Sequence, residues 1–173
     1  MQTLKGKHII LRALEPSDLD FLFEIENNQD FWEISHTITP YSKHLLKQYI
    51  NNAHLDIYEA KQLRLTICLQ NNTPVGFIDI FDFNPMHLRA GLGILINAEF
   101  QGNGYAKEAV RLARDYCFTN LKLHQLYVNI SSKNNKSIQL FNSLGFEIIG
   151  AKKQWNLTQN GFVDELMLQQ INE

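Results

Sequence analysis

Two glycines, Gly102 and Gly104, bracket an asparagine in "EFQGNGYAKEAVRLARDYCF", and a long amphipathic pattern starts at the next residue. Glycine permits a tight turn into a helix. A helix N-terminus also carries unpartnered N–H groups and a partial positive charge, which glycines let an anion approach closely. The stretch is therefore either a plain turn or a seat for a phosphate group. It is not a nucleotide loop of the G-x-x-x-x-G-K-[ST] kind, which is absent. It also fails the dinucleotide fingerprint: Lys107 stands at the third glycine position, and "NAEF" separates the turn from the strand before it. A second chemical group is the acidic pair Asp79 and Asp82 in "GFIDIFDFNP". Strand alternation points them to opposite faces unless a bulge intervenes. A carboxylate at a cleft attracts a cationic amine and helps deprotonate it; two solvated carboxylates do neither.

The bulk composition narrows the field. The chain has 173 residues, 45% hydrophobic and 20% charged, with net charge −2. This suits one domain with a sizeable core, residues 1–173. No block of like charge points to nucleic acid, and no run approaches a membrane span. The N-terminus "MQTLKGKHII" lacks a signal-peptide pattern. Cys68 and Cys117 lie in apolar surroundings far apart in sequence, as reduced core thiols of a cytoplasmic protein do. The six histidines have no zinc-site spacing, so no metal is expected. His36, His44 and His87 read as surface or structural residues.

The elements that position these groups follow from periodicity. His8–Leu14 reads as a strand, and Pro16, Ser17 and Asp18 start a helix with Leu19, Leu22, Phe23 and Ile25 on one face. A second helix begins near Ser42. Leu63–Leu69, Val75–Phe83 and Leu88–Ile96 form a meander of strands. The helix after Gly104 buries Ala106, Ala109, Val110, Ala113, Tyr116 and Cys117. His124–Ile130 is a strand, "NNKSIQLFNSLGF" a short helix stopped at Gly145, and two strands close the chain. The order is β-α-α-β-β-β-α-β-α-β-β, a mixed α/β domain.

With the elements in place, "QGNGYA" resembles the Q/R-x-x-G-x-G/A signature of the GNAT superfamily of N-acetyltransferases. Downstream, "NNKSIQLFNSLGFEIIG" resembles that family's N-x-x-A/S…Y-x-x-x-G-F segment. The element order is also the family's, so the resemblance covers nearly the whole chain. Two branches look most similar: polyamine (diamine) N-acetyltransferases and ribosomal-protein N-terminal acetyltransferases. The resemblance implies a single GNAT-like domain: a mixed, mostly antiparallel sheet flanked by helices, with a splayed central strand pair. It implies acetyl-CoA as co-substrate. The pyrophosphate of coenzyme A would sit on Gln101, Gly102, Asn103, Gly104, Tyr105, Ala106 and Lys107. Its pantetheine arm would bond backbone at Ile94, Leu95 and Ile96, with Asn134 contacting the cofactor. Backbone near the thioester would stabilise the oxyanion.

Two positions depart from the family pattern. The glutamate that often serves as general base is Gly91 here, and the tyrosine that often serves as general acid is Phe141, which keeps a packing surface beside the thioester and has no proton to give. A thiol of pKa about 8.5 leaves without full protonation. Asp79 and Asp82 are the remaining catalytic candidates, and polyamine acetyltransferases carry acids at both positions. The acidic pair those enzymes carry before a proline is Ile38 and Thr39 here, before Pro40, with Glu33 as a substitute. Trp32 and Phe31 either line an acceptor pocket or belong to the core. Trp155 and Asp164 match the family as structural support of the cleft. The expected activity is acetyl transfer to a primary amine, a polyamine or another small amine. The alternatives are acetylation of a protein N-terminus and non-catalytic acyl-CoA binding. Self-association into a homo-oligomer is compatible with all three.

Overall fold

The computed structural model describes residues 4–173. Strand β1 (Ile9–Ala13) leads through a 3-10 turn at Pro16–Asp18 into α1 (Leu19–Asn27). The short α2 (Trp32–Ser35), then α3 (Lys43–Asn51) and the short α4 (Ile57–Ala60), follow. The meander is β2 (Leu63–Leu69), β3 (Pro74–Asn84) and β4 (Arg89–Ile96). Then come α5 (Tyr105–Thr119), β5 (Gln125–Ser131), α6 (Asn135–Asn142), β6 (Glu147–Thr158) and β7 (Gly161–Ile171). All seven strands join one sheet in the order β1-β2-β3-β4-β5-β7-β6. Every pair is antiparallel except β4 with β5. The expected mixed α/β architecture is present, with α2 and α4 as additions. Each has only four residues, too short to leave a helical period in the sequence.

Alternation along the strands builds two layers on the sheet. Ile78, Ile80, Ala90, Leu92, Leu126 and Val128 pack with Ala109, Val110 and Ala113 of α5. On the other face, Phe77 packs with Leu22 and Ile25 of α1 and Leu46 and Ile50 of α3. Ser42 caps α3 as its sequence position suggests, accepting the Leu45 N–H. Cys68 and Cys117 are buried free thiols, and burial pushes the Cys117 thiol up to about 12.

Asp18 fixes α1 to the sheet. It is 2% exposed. Its carboxylate takes two bonds from the Arg12 guanidinium, at 2.7 and 2.9 Å, and accepts the Glu15 N–H at 2.9 Å. The Thr66 hydroxyl of β2 adds a bond at 3.2 Å. Burial alone would raise this carboxyl; Arg12, the Glu15 N–H and Thr66 outweigh it and hold it below the usual carboxylate range.

The centre of the sheet is parted. β4 pairs with β5 only at Arg89, Ala90 and Gly91, opposite Gln125, Leu126 and Tyr127. Beyond Gly91, β4 stays with β3 as far as Ile96, while β5 stays with β7 as far as Ser131. The Asn97 N–H bonds the Val75 carbonyl at 2.9 Å. By alternation Leu95 and Gly93 also face β3, so beyond the last β4–β5 pair the backbone groups of Ile94 and Ile96 face the gap. At the apex the Phe81 ring lies over Gly91. A Cβ there would come within 2.4 Å of Phe81 Cε2. With the Phe81 ring in this position, a side chain at 91 does not fit unless the ring moves.

Two outcomes follow for stability. Asp18→Asn leaves Arg12 without its charge partner and should cost about 3 kcal/mol in chemical denaturation. The native carboxyl is depressed, so its contribution is fully present above about pH 4, the ordinary carboxylate value, and fades as the pH falls through the native one; the wild-type advantage over Asp18→Asn should shrink along that limb. Gly91→Ala should destabilise by about 1–3 kcal/mol through overpacking. In a Phe81→Ala background the same change should cost clearly less, read as a double-mutant cycle.

Candidate active site

A groove of about 400 Å³ runs through the gap. One wall is Ile94, Leu95 and Ile96; the end is Gly102, Gly104, Tyr105, Ala106 and Lys107. Phe31 and Ile34 lie on one side, Asn134 and Leu140 on the other. Gly102 and Gly104 have φ of 82° and 80°. A Cβ at either would meet nothing within 4 Å, so the left-handed backbone, not crowding, requires glycine. The turn is braced from within. Gln101 Nε2 donates to the Ile96 carbonyl at 3.0 Å, and Asn103 Nδ2 donates to the Phe100 carbonyl at 3.1 Å. Gln101 also borders the groove; Asn103 turns back into the loop instead. The first turn of α5 thus presents free N–H groups to open space, a setting that suits an anion.

Asn134 caps α6 by accepting the Ser137 N–H at 3.2 Å, and it borders the groove. Phe141 does not. It is 3% exposed and packs edge-on against Phe146, ring centres 5.2 Å apart. The helical period turns Leu140 toward the groove and Phe141 into the core, so the expected packing of Phe141 beside a thioester gives way to Leu140.

A second cleft, of about 470 Å³, lies on the α1–α3 face. Its walls are Tyr41, Leu45, Leu46 and Tyr49 on one side and Asp79, Ile80 and Phe81 on the other. Glu26, Gln62 and Arg64 complete it. Arg64 donates to both oxygens of Asp79, at 2.7 and 3.0 Å, and also pairs with Glu26. Its guanidinium lies over Tyr49 and Phe77, 5.6 and 5.5 Å from their ring centres. Burial opposes the charge on Arg64, but Asp79 and Glu26 more than compensate and raise its pKa. Two carboxylates against one guanidinium leave this cluster with one negative charge.

The two acids of β3 share a face. The register of β3 with β4 shifts between Phe81 and Asn84, and Asp82 adopts φ 47°. This bulge brings Asp82 to the Tyr127 hydroxyl, which donates to Oδ2 at 2.9 Å. Asp79 is not the free carboxylate the sequence suggests, because Arg64 holds both its oxygens. Trp32 donates Nε1 to the Glu26 carbonyl at 3.0 Å and Glu33 is exposed; neither lines the cleft. Glu26 stands there instead. Trp155 is 60% exposed beneath the Lys152 ammonium, so it is no buried support. Asp164 accepts the Gln154 N–H and pairs with Lys153, bracing the last hairpin. His36, His44 and His87 are exposed.

Sequence reasoning missed Glu26, Arg64 and Tyr127. The signal for Arg64 was an arginine inside the apolar strand "LRLTICL", opposite Asp79 in register.

Comparison with known proteins agrees with this geometry. The family described as acetyltransferase (GNAT) domain matches residues 8–147. Spermidine N(1)-acetyltransferase of Escherichia coli (strain K12) is 31% identical over 144 residues, 81% of this chain and 73% of the relative. The putative ribosomal N-acetyltransferase YdaF of Bacillus subtilis (strain 168) is 27% identical over 171 residues, 94% of this chain and 90% of the relative. The crystal structure of spermidine N-acetyltransferase from Vibrio cholerae in complex with CoA and spermine superposes with a TM-score of 0.86 at 26% identity, covering 94% of this chain and 95% of that one. With seven strands parted at Gly91 and a glycine turn feeding α5, the chain belongs to the GNAT family of acetyltransferases.

Proposed function

We propose that the protein transfers the acetyl group of acetyl-CoA to a primary amine of a polyamine or a similar small cationic amine. The observation that carries this reading is the parting of β4 from β5 beyond Gly91, with a groove along β4 on one side and a second cleft on the neighbouring strand β3. The groove follows β4 along Ile94–Ile96, on the stretch that has parted from β5 beyond Gly91. The second cleft reaches β4 from the α1–α3 face, through Asp79 and Phe81, which pair with Gly93 and Gly91. A donor thioester in the gap and an amine over Gly91–Gly93 would then be adjacent. Gap-facing N–H groups of β4 would stabilise the oxyanion that develops on the acetyl carbonyl.

The amine attacks in its neutral form, and its remaining proton must leave. The Glu26–Arg64–Asp79 cluster has one net negative charge for a second ammonium, and Tyr41 and Tyr49 offer aromatic faces. The spermidine acetyltransferases among the relatives support the same choice of acceptor.

The test is turnover with acetyl-CoA on a panel of spermidine, spermine, monoamines and peptides with free N-termini. Turnover on polyamines supports the reading. Turnover on peptides alone assigns a protein N-terminus as acceptor, and binding of acetyl-CoA without turnover assigns a binding module. Two variants separate the subsites. Gly104→Val should keep the fold and weaken acetyl-CoA binding about tenfold, because the left-handed turn costs a branched residue about 1–2 kcal/mol. Glu26→Gln should raise KM for spermidine about tenfold at low salt while leaving KM for acetyl-CoA unchanged, and the effect should shrink as salt screens the charge.

A further inference from the structure

Asp82 sits where β3 breaks register, in a backbone conformation that costs a non-glycine residue about 1–2 kcal/mol. Bulges beside sites re-aim side chains. This one turns Asp82 onto the face of the acceptor cleft. Tyr127, which receives it, belongs to the last residue pair before β4 and β5 part, opposite Gly91. The Tyr127 ring stands edge-on to Phe81 at 5.9 Å, and Phe81 in turn covers Gly91. Three strands thus converge on the apex of the gap through Asp82, Gly91 and Tyr127.

The two β3 carboxylates differ in what they have left to offer. Both oxygens of Asp79 are held by Arg64. Asp82 accepts one neutral hydroxyl on Oδ2, and no hydrogen bond reaches its Oδ1 among the described residues. Burial and the Asp82 carboxylate push the Tyr127 phenol up to about 12. It therefore keeps its proton at neutral pH and acts as a fixed donor to Asp82. It is a weaker acid than a thiol of about 8.5, so it is poorly suited to protonate a departing thiolate.

Building on the acetyl-transfer reading, we propose that Asp82 receives the proton of the attacking amine, directly or through one water, and that Tyr127 is the positioning residue that aims it. The amine nitrogen forms a bond to the acetyl carbonyl carbon, and the carbon–sulfur bond breaks with its electron pair on sulfur. The N–H proton passes to Asp82 Oδ1 and on through solvent to the thiolate, leaving an amide and a free thiol. Asp82 thereby fills the place left by the glycine at 91.

Asp82→Gly is the first test, because glycine suits this backbone and the variant folds without the strain. Its kcat for spermidine should fall about 100-fold, the scale of a lost general base, while KM for acetyl-CoA is unchanged. Tyr127→Phe keeps the ring on Phe81 and should lower kcat about tenfold in the wild-type background, a loss of about 1.4 kcal/mol. In the Asp82→Gly background it should lower kcat no further, because the hydroxyl acts only through the carboxylate. Wild-type kcat in Asp82→Gly overturns the proposal. So does a Tyr127→Phe loss of equal size in both backgrounds, which marks a purely structural role. A wild-type protein that acetylates no amine overturns the acetyl-transfer reading itself, and this proposal with it.

Discussion

The structure depends on one backbone constraint: β4 and β5 hold each other over three residue pairs and then separate. Each strand is satisfied on its far side, β4 by β3 and β5 by β7, so the separation does not unravel the sheet. It leaves one edge of β4 with the polar groups of Ile94 and the N–H of Ile96 facing the gap without a strand partner, while Gln101 takes the Ile96 carbonyl. In a sheet interior such groups are costly unless something fills the gap. The glycine turn at 102–104 carries the chain from that edge straight into α5, whose free N–H groups face the same space. One strand separation thus creates both a slot for an extended arm and, at its mouth, a seat for an anion.

The charged groups on the α1–α3 face are arranged around this slot with little freedom. Asp18 ties α1 to β1 and β2, which fixes where Glu26 ends up at the far end of the same helix. Glu26 and Asp79 then converge on Arg64, which bridges α1, β2 and β3 beneath two aromatic rings. A half-buried guanidinium with two carboxylates is costly to break, because removing one partner leaves a charge poorly compensated. The same bridge consumes Asp79 as a free carboxylate and leaves Asp82 as the accessible one. Architecture therefore gives different partners to two acids that look equivalent in sequence, Arg64 to Asp79 and the Tyr127 hydroxyl to Asp82.

Much of this was readable from residue pattern. Strand β2 has the bounds the alternation in "LRLTICL" gives it, Ser42 caps the helix it was expected to start, and the turn before α5 requires glycine at 102 and 104. These features are local, set by periods and backbone angles a short stretch encodes. What escaped was set by distant partners. The direction of Asp82 depends on a bulge whose stabilising contact, Tyr127, is 45 residues away. The pairing of Asp79 depends on Arg64, 15 residues away across a strand pair. The close approach at Gly91 depends on the Phe81 ring of the neighbouring strand, which no local pattern around residue 91 encodes. Phe141 looked like a groove residue by its place in a motif, yet the phase of α6 puts its neighbour Leu140 there. Short α2 also escaped, although it carries Ile34 to the groove.

The central claim is that the parted edge of β4 and the turn before α5 together bind coenzyme A. Amide hydrogen exchange with and without acetyl-CoA measures this at the residues concerned. New protection is expected at the gap-facing amides of Ile94 and Ile96 and at the first turn of α5 from Tyr105 to Lys107. Gly93 and Leu95, already bonded to β3, should change little. Saturation with acetyl-CoA that leaves Ile94, Ile96 and the first turn of α5 exchanging at their free rates, with protection appearing elsewhere, would contradict it.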